Sequence, residues 1–354
     1  MTNICVFTNT LLKGGAEKQA VLLSKALSDR YRVLLVVYYG NLVSEEYIKI
    51  IEGFPVEIKY LSGSHFTKFI KFYYFLRNHK VNILFTYLLT TNFVGGFIGK
   101  IAGVKYKIGG IRSSKIDKKK LCLQRFLHNH VNEFTIFNNH QGLVNLCKNG
   151  FNISKSVMIP NCFDLETKLI KRPLANKIKI LSVGRFHKAK DYPTAIKSLI
   201  ELIRFYPDVE YTIIGYGSLE KDIQNLIIEN NAEEYIKLVI NPDNIKEYYI
   251  SSDIYLMTSI FEGMSNTLLE AMSYSLSLVA TNVGDNGKLV KEGFNGYLSP
   301  PKDIQAITKS LLKLCESQEM RKQFGKNSYK HLNDNFSLDK FKSKYFNFID
   351  NLRE

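Results

Sequence analysis

The sequence contains no tryptophan, and its 354 residues include only five cysteines and eight prolines. The cysteines are scattered and odd in number, and no two of them form a CxxC pair. This usage excludes a disulfide framework and a paired-cysteine zinc site, and it is typical of proteins kept in a reducing compartment. We therefore expect a cytoplasmic protein.

Acidic residues are fewer than basic ones: the chain has 33 Asp and Glu against 48 Lys and Arg, which gives a net charge of +15. Such an excess is compatible with three anionic partners: nucleic acid, a membrane surface or a phosphorylated substrate. A compositional origin is open as well, because the chain is rich in Lys, Asn, Ile and Tyr. No basic aromatic sheet or recognition-helix motif accompanies the charge, so we expect no nucleic-acid partner.

Long hydrophobic runs are nearly absent. One uncharged stretch, residues 81–99, has the length of a membrane span, but it contains two asparagines, three threonines and three glycines. A strand, a turn and a helix explain this stretch better than a span does. The first residues, MTNICVFTNTLLKGG, lack a basic segment and a cleavage site, so we expect no signal peptide.

Apolar strand-like runs such as RVLLVVYY and NILFTYL alternate with helix-period segments, and the alternation restarts at KIKILSVGR. This pattern predicts an α/β protein of two doubly wound, Rossmann-like parallel-sheet domains facing across a cleft. We place the domains at residues 1–170 and 171–336, joined near the basic segment LIKRPLANK. The aromatic-striped segment 337–354 is expected to be a helix that packs back on the first domain.

Two loops offer groups that suit phosphate binding. In the first domain, Gly14 and Gly15 stand between a strand and the helix AEKQAVLLSKALSD, whose first N–H groups suit an anion. In the second, Arg185 and Lys190 follow the strand that ends at Gly184, and two cations at the carboxyl edge of a sheet can hold a diphosphate. A simple turn and a solvated basic loop are the alternative interpretations.

The segment FEGMSNTLLEA places Glu262 in a loop and Glu270 in the helix that follows. A capping box of Thr267 and Glu270 is one explanation of the second carboxylate. The other is a nucleotide site, in which the helix N–H groups of residues 265–268 bind a diphosphate and Glu270 accepts hydrogen bonds from a ribose. Capping does not explain Glu262, which suits sugar hydroxyls or a developing oxocarbenium charge.

With these residues around it, FEGMSNTLLEAM resembles the Glu-x7-Glu element of the family 4 retaining glycosyltransferases, which have the GT-B fold. VGRFHKAKDY is similar to that family's Gly-Arg…Lys element, KGGAEKQAVLLSKAL to its Gly-Gly loop, and VKEGFNGYLSPPKD to its downstream segment. The four elements occur in the family's order and cover essentially the whole chain.

The resemblance implies a function and a role for each motif. Arg185 and Lys190 neutralise the diphosphate of a nucleotide-sugar, Glu262 lies beside the transferred sugar, Glu270 holds the ribose, and Gly15 lets the first domain close on the donor. The donor-binding set is then Gly14, Gly15, Gly184, Gly215, Gly217, Ser265, Asn266, Thr267, Leu268 and Glu270.

By the same resemblance a sugar passes from a nucleotide-sugar to a hydroxyl of a saccharide acceptor in surface polysaccharide or glycan assembly. The expected nucleotide is UDP, with GDP as the second choice. The anomeric configuration is retained. The family needs no metal or cofactor, and no aspartate here lies two residues from another, so a DxD motif is absent. Many relatives have a histidine after the strand YKIGGI; the nearest candidate here is Arg112, to which an acceptor-binding role is assigned.

Two basic stretches that also carry aromatic residues, SHFTKFIKFYYFLRNHK and SSKIDKKKLCLQRFLHNH, lie in the predicted acceptor domain. They suit an anionic membrane interface, so we expect a peripheral protein on the inner face of the cell membrane and a lipid-linked saccharide as its acceptor. Ordinary amphipathic helices are the alternative. For the whole protein the alternatives are a nucleotide-sugar epimerase or a phosphorylase on a similar scaffold, and a basic nucleic-acid-binding protein.

Overall fold

The computed structural model describes residues 2–12, 14–113, 116–164, 169–170, 172 and 176–352. The chain forms two compact units: Met1–Asp164 with Leu338–Glu354, and Leu165–Ser337. The join expected at residues 169–177 lies partly outside the described residues.

The first unit is built on parallel strands that alternate with helices. Its elements are β1 (Asn3–Thr8), α1 (Gly15–Ser28), β2 (Arg32–Val37), α2 (Glu45–Lys49), β3 (Val56–Tyr60), α3 (His65–Asn78), β4 (Ile83–Thr86), α4 (Leu88–Ile101), β5 (Tyr106–Ile111), α5 (Lys118–Phe126), β6 (Phe134–Phe137), α6 (His140–Cys147) and β7 (Ser156–Met158). The seven strands have the order β3-β2-β1-β4-β5-β6-β7. Their Val, Ile and Leu runs are buried because helices cover both faces.

The second unit repeats this plan, and the final helix returns to the first. The elements are β8 (Ile178–Val183), α7 (Tyr192–Ile203), β9 (Val209–Gly215), α8 (Glu220–Glu229), β10 (Ile236–Ile240), α9 (Ile245–Ser251), β11 (Ile254–Met257), α10 (Asn266–Ser273), β12 (Ser277–Thr281), α11 (Asn286–Leu289), β13 (Gly296–Ser299), α12 (Ile304–Glu316), α13 (Gln318–Phe336) and α14 (Leu338–Asn351). The six parallel strands have the order β10-β9-β8-β11-β12-β13.

Helix α14 belongs to the first unit because its apolar stripe completes that unit's core. Phe341, Tyr345 and Ile349 recur every four residues, are buried, and pack in one cluster with Leu23 of α1. The predicted α/β fold of two doubly wound domains is confirmed. The stretch 81–99 is β4 followed by α4, and within the described part of the chain no helix is long and apolar enough to cross a bilayer.

Candidate functional site

The candidate site lies at the carboxyl edge of the second sheet, where the strand order changes direction. β8 is hydrogen-bonded to β11 although α7, β9, α8, β10 and α9 separate them along the chain. The loops after these two strands therefore emerge side by side, which is the ligand-binding position of doubly wound sheets. The loop after β8 carries Arg185 and Lys190, and the loop after β11 carries Glu262.

Lys190 and Glu262 form an ion pair across the two loops. The Nζ–Oε1 distance is 2.7 Å, and the side chains are 22% and 15% exposed. The Ser259 hydroxyl donates to the same carboxylate oxygen at 2.7 Å. Lys190 and Glu262, 72 residues apart in sequence, are thus held together without a ligand.

The backbone of the first loop is fixed by the second. The Thr258 hydroxyl lies 3.0 Å from the Lys190 carbonyl and 2.9 Å from the Asp191 carbonyl. The Ile260 N–H donates to the Ala189 carbonyl at 2.8 Å. Asp191 has left-handed torsions, φ 50° and ψ 50°, just before α7 begins. These bonds hold that uncommon conformation and set the position of Lys190.

Arg185 is exposed and makes no ion pair with any residue in the described ranges. Its guanidinium therefore remains available to an anion beside Lys190.

The nearby glycines have packing reasons of their own. A Cβ on Gly215 would lie 2.0 Å from the Gly184 carbonyl oxygen, and one on Gly217, which has φ +151°, would lie 2.6 Å from that of Phe186. Close approach of the loops after β8 and β9 explains both glycines without a ligand.

Helix α10 begins at Asn266, and Ser265 is its N-cap. The Ser265 hydroxyl accepts a hydrogen bond from the Leu268 N–H at 3.3 Å. One of the four N–H groups expected to bind phosphate is therefore already hydrogen-bonded within the protein. The capping box of Thr267 and Glu270 is wrong, because the helix starts one residue before Thr267. Helix capping therefore does not explain Glu270.

Glu270 instead accepts a hydrogen bond from the Tyr249 hydroxyl, with an O–O distance of 3.1 Å. Tyr249 is buried and stacks on Tyr274, with ring centroids 5.2 Å apart. Burial and the negative charge of Glu270 raise the pKa of Tyr249 well above its ordinary value, so the phenol stays protonated and donates. Sequence reasoning missed Tyr249, which no motif marks.

The loop after β12 also shapes the site and was missed. Gly284 has φ +55°, and a Cβ there would lie 2.3 Å from the Glu262 carbonyl oxygen. The Asp285 N–H donates to the Gly263 carbonyl at 3.1 Å, and the Thr281 hydroxyl to the Ser259 carbonyl at 2.6 Å. Gly284, which follows a predicted strand, was the available signal.

The predicted residues of the first unit lie at the carboxyl edge of its own sheet. Gly14 is the N-cap of α1 and Gly15 its first residue, while Glu17 in the first turn accepts from the Thr10 hydroxyl at 3.3 Å. Arg112 follows β5; its Nη1 donates to Asn161 at 3.2 Å, and its guanidinium lies 4.3 Å from the ring centre of Tyr87.

Across the described ranges, no three His, Cys, Asp or Glu side chains are grouped as a metal site.

Comparison with known proteins bears on this site. The family model described as "Glycosyl transferases group 1" matches residues 166–331, most of the second unit. The amylovoran biosynthesis glycosyltransferase AmsK of Erwinia amylovora is 31% identical over 175 residues, which cover 47% of this chain and 42% of AmsK. For this relative the match thus spans less than half of the protein's length.

Two further similarities cover nearly the whole chain. A Campylobacter jejuni protein named N-acetylgalactosamine-N,N'-diacetylbacillosaminyl-diphospho-undecaprenol 4-alpha-N-acetylgalactosaminyltransferase is 26% identical over 348 residues, 92% of this chain and 93% of its own. The crystal structure of Anabaena Alr3699/HepE in complex with UDP-glucose superimposes with a TM-score of 0.87 at 16% identity, covering 99% of this chain and 100% of that one. At 16% identity, this structural similarity shows that the two proteins have the same fold.

Proposed function

We propose that this chain, whose second domain belongs to the glycosyl transferases group 1, moves a sugar from a nucleotide-sugar to an acceptor hydroxyl and retains its anomeric configuration. One observation carries the proposal: the Lys190–Glu262 ion pair lies at the ligand-binding edge of the second sheet, and the loop that holds Lys190 also carries the exposed Arg185, which has no ion pair among the described residues. This combination matches a sugar diphosphate, which has a dianionic leaving group next to a carbon that becomes cationic.

In this proposal the second domain binds the donor. Arg185 and Lys190 hold the diphosphate, with the planar fork of Arg185 reaching two oxygens and Lys190 acting as a point charge. Glu262 orients Lys190 and lies beside the transferred sugar. Tyr249 orients the Glu270 carboxylate, whose oxygens together accept several hydrogen bonds and so also take the ribose hydroxyls.

Transfer breaks the bond between the anomeric carbon and the diphosphate oxygen and forms one between that carbon and the acceptor oxygen on the same face. The acceptor proton passes to the departing diphosphate oxygen, so the products are a glycoside and a nucleoside diphosphate. Arg185 and Lys190 stabilise the charge that develops on the diphosphate, and Glu262 the charge that develops on the sugar. The protein's fixed cations provide this stabilisation, so we propose that no metal is required.

UDP is the proposed nucleotide, by analogy with the UDP-glucose complex of the Anabaena protein. The proposed acceptor is a saccharide on a lipid diphosphate, by analogy with the Campylobacter relative, and the first domain would bind it with Arg112 at the site. The other predicted function classes, an epimerase, a phosphorylase and a nucleic-acid-binding protein, gain no specific support from the site.

We further propose that an anionic membrane surface brings acceptor and protein together. Helices α3, α4 and α5 expose large apolar side chains, among them Phe66 (73% exposed), Ile101 (67%) and Phe126 (48%). Exposed cations such as Arg77 and Lys119 lie on the same helices. Aromatic and basic side chains together suit the headgroup region of a membrane. Lys115, expected in this surface, lies outside the described residues.

A thermal-shift screen in EDTA tests the donor assignment, with UDP, GDP, ADP, their sugar conjugates and an oligonucleotide as ligands. A ligand at about 100 times its dissociation constant adds about 2.7 kcal/mol to the free energy of unfolding. We expect a rise in Tm with UDP and its conjugates. A response to the oligonucleotide with none to any nucleotide would contradict the proposal.

A further inference from the structure

Lys68 is a largely buried residue whose amino group has no counter-ion among the described residues. Lys68 is 7% exposed, and its Nζ makes no ion pair and no hydrogen bond with the described residues. Among the described residues, its Nζ contacts the rings of Tyr38 and Tyr39, whose centroids lie 4.8 and 4.5 Å away. Ring faces attract the charge but accept no strong hydrogen bond, so the ammonium N–H donors lack strong acceptors here.

Lys68 lies on the edge of the first sheet where a ligand is expected. It is in the first turn of α3, which follows β3, and Tyr38 and Tyr39 directly follow β2. The Tyr38 N–H donates to the Thr8 carbonyl at 3.0 Å, which ties this region to the end of β1. All three strands present their carboxyl ends here, at the same edge as the Gly14–Gly15 loop.

A second donor stands next to this cation. His65, the first residue of α3, has an exposed side chain, and its Nδ1 lies 2.5 Å from the Tyr38 hydroxyl. Burial raises the pKa of Tyr38, which keeps the phenol protonated. In the tautomer in which this hydroxyl donates to Nδ1, the proton of the imidazole is on Nε2, which is then a donor. The N-terminus of α3, where the helix dipole is positive, also favours an anion.

We propose that Lys68 and His65, supported by Tyr38 and Tyr39, form an anion-binding subsite that takes a phosphate group of the acceptor's lipid carrier. The proposal rests on the proposed function for the identity of its ligand. A carboxylate of an acidic acceptor sugar has the same charge and acceptor atoms, so the experiment has to separate the two. A lysine that is 7% exposed, lies over two tyrosine rings and has no acidic partner among the described residues is the feature that an ordinary amphipathic helix does not explain.

The test is calorimetric titration with farnesyl diphosphate, a soluble lipid diphosphate, at saturating UDP so that the donor site is filled. We expect Lys68→Met, which keeps the length and fills the apolar cage, to weaken binding at least about tenfold. Lys68→Arg restores the charge and should recover part of the affinity. His65→Ala alters an exposed residue and should weaken binding about threefold. Farnesol, which lacks the phosphates, should bind all variants equally weakly.

The matched control is Lys100→Met. Lys100 is exposed near the end of α4 and makes no side-chain hydrogen bond or ion pair with the described residues. This substitution removes the same charge from the same domain and should leave the affinity within about twofold of wild type. Equal losses in Lys100→Met and Lys68→Met, or no loss in Lys68→Met and His65→Ala, would overturn the subsite. Lys68-dependent binding of glucuronate without binding of farnesyl diphosphate would overturn the assignment to phosphate.

The titration measures binding and not transfer, so the two proposals fail in different ways. A protein that binds farnesyl diphosphate through Lys68 but does not bind UDP would contradict the proposed transferase and leave the subsite standing. A protein that binds UDP and shows no dependence on Lys68 would contradict the subsite alone.

Discussion

The carboxyl edges of the two sheets handle positive charge differently. At the edge of the second sheet, Lys190 is paired with Glu262, and its loop is hydrogen-bonded to the neighbouring loop. At the edge of the first sheet, Lys68 and Arg112 lie over tyrosine rings, and neither is paired with a carboxylate among the described residues.

This difference indicates which role each sheet edge has. A paired cation holds a fixed position before any ligand arrives, which favours electrostatic stabilisation of a defined transition state. A cation without a carboxylate partner, such as Lys68 over its two tyrosine rings, keeps hydrogen-bond donors for an incoming anion. We therefore associate the second edge with chemistry and the first with recognition, and the predictions below test that division.

The largest expected effect is that of Glu262→Ala on turnover. Loss of the carboxylate removes the group that orients Lys190 and stabilises charge on the sugar, so kcat should fall about 10²–10³-fold. The affinity for UDP, which lacks the sugar, should change little. Steady-state kinetics and UDP titration measure the two quantities. Glu229→Ala, which removes an exposed carboxylate of α8, is the control. A wild-type kcat in Glu262→Ala would contradict the assignment of chemistry to the second sheet edge.

A smaller effect separates the two cations of the donor site. Arg185→Ala and Lys190→Ala should each weaken UDP binding about 10–100-fold, because each removes charged hydrogen bonds to phosphate. Only Lys190→Ala also removes the counter-ion of the largely buried Glu262, so it alone should lower the free energy of unfolding, by about 1–2 kcal/mol. Titration and denaturant unfolding check both values. Unchanged UDP affinity in both variants would move the phosphate site elsewhere.

The smallest of the donor-site effects is expected for Tyr249→Phe, which removes one hydrogen bond to Glu270. UDP binding should weaken about 3–10-fold, while pyrophosphate binding should not change, because Glu270 is assigned to the ribose. Tyr248→Phe is the control, since the neighbouring Tyr248 hydroxyl has no partner in the described chain. Equal losses for UDP and pyrophosphate would contradict the ribose assignment.

Much of the fold could be predicted because local sequence patterns indicate where the strands and helices lie. Continuous Val, Ile and Leu runs predict buried parallel strands, and the polar interruptions in residues 81–99 separate β4 from α4. The pairing of Lys190 with Glu262 could not be predicted from spacing, because it depends on β11 lying beside β8.

Other features of the site also depend on tertiary contacts. Gly215 is explained only by the approach of the Gly184 carbonyl, and Tyr249 reaches Glu270 from a different helix. The sequence left the N-cap of α10 open because Ser265 and Thr267 both suit that position, and backbone geometry decides for Ser265.

The most direct test of the central claim is proton NMR of the reaction in EDTA, with an α-linked UDP-sugar and a saccharide on a short lipid diphosphate. Retention predicts a new anomeric signal with the small coupling of an α-glycoside, together with UDP, and both should form about 10²–10³ times more slowly with Glu262→Ala. A β-glycoside, free sugar without a glycoside, or a reaction abolished by EDTA and restored by a divalent cation would contradict the account.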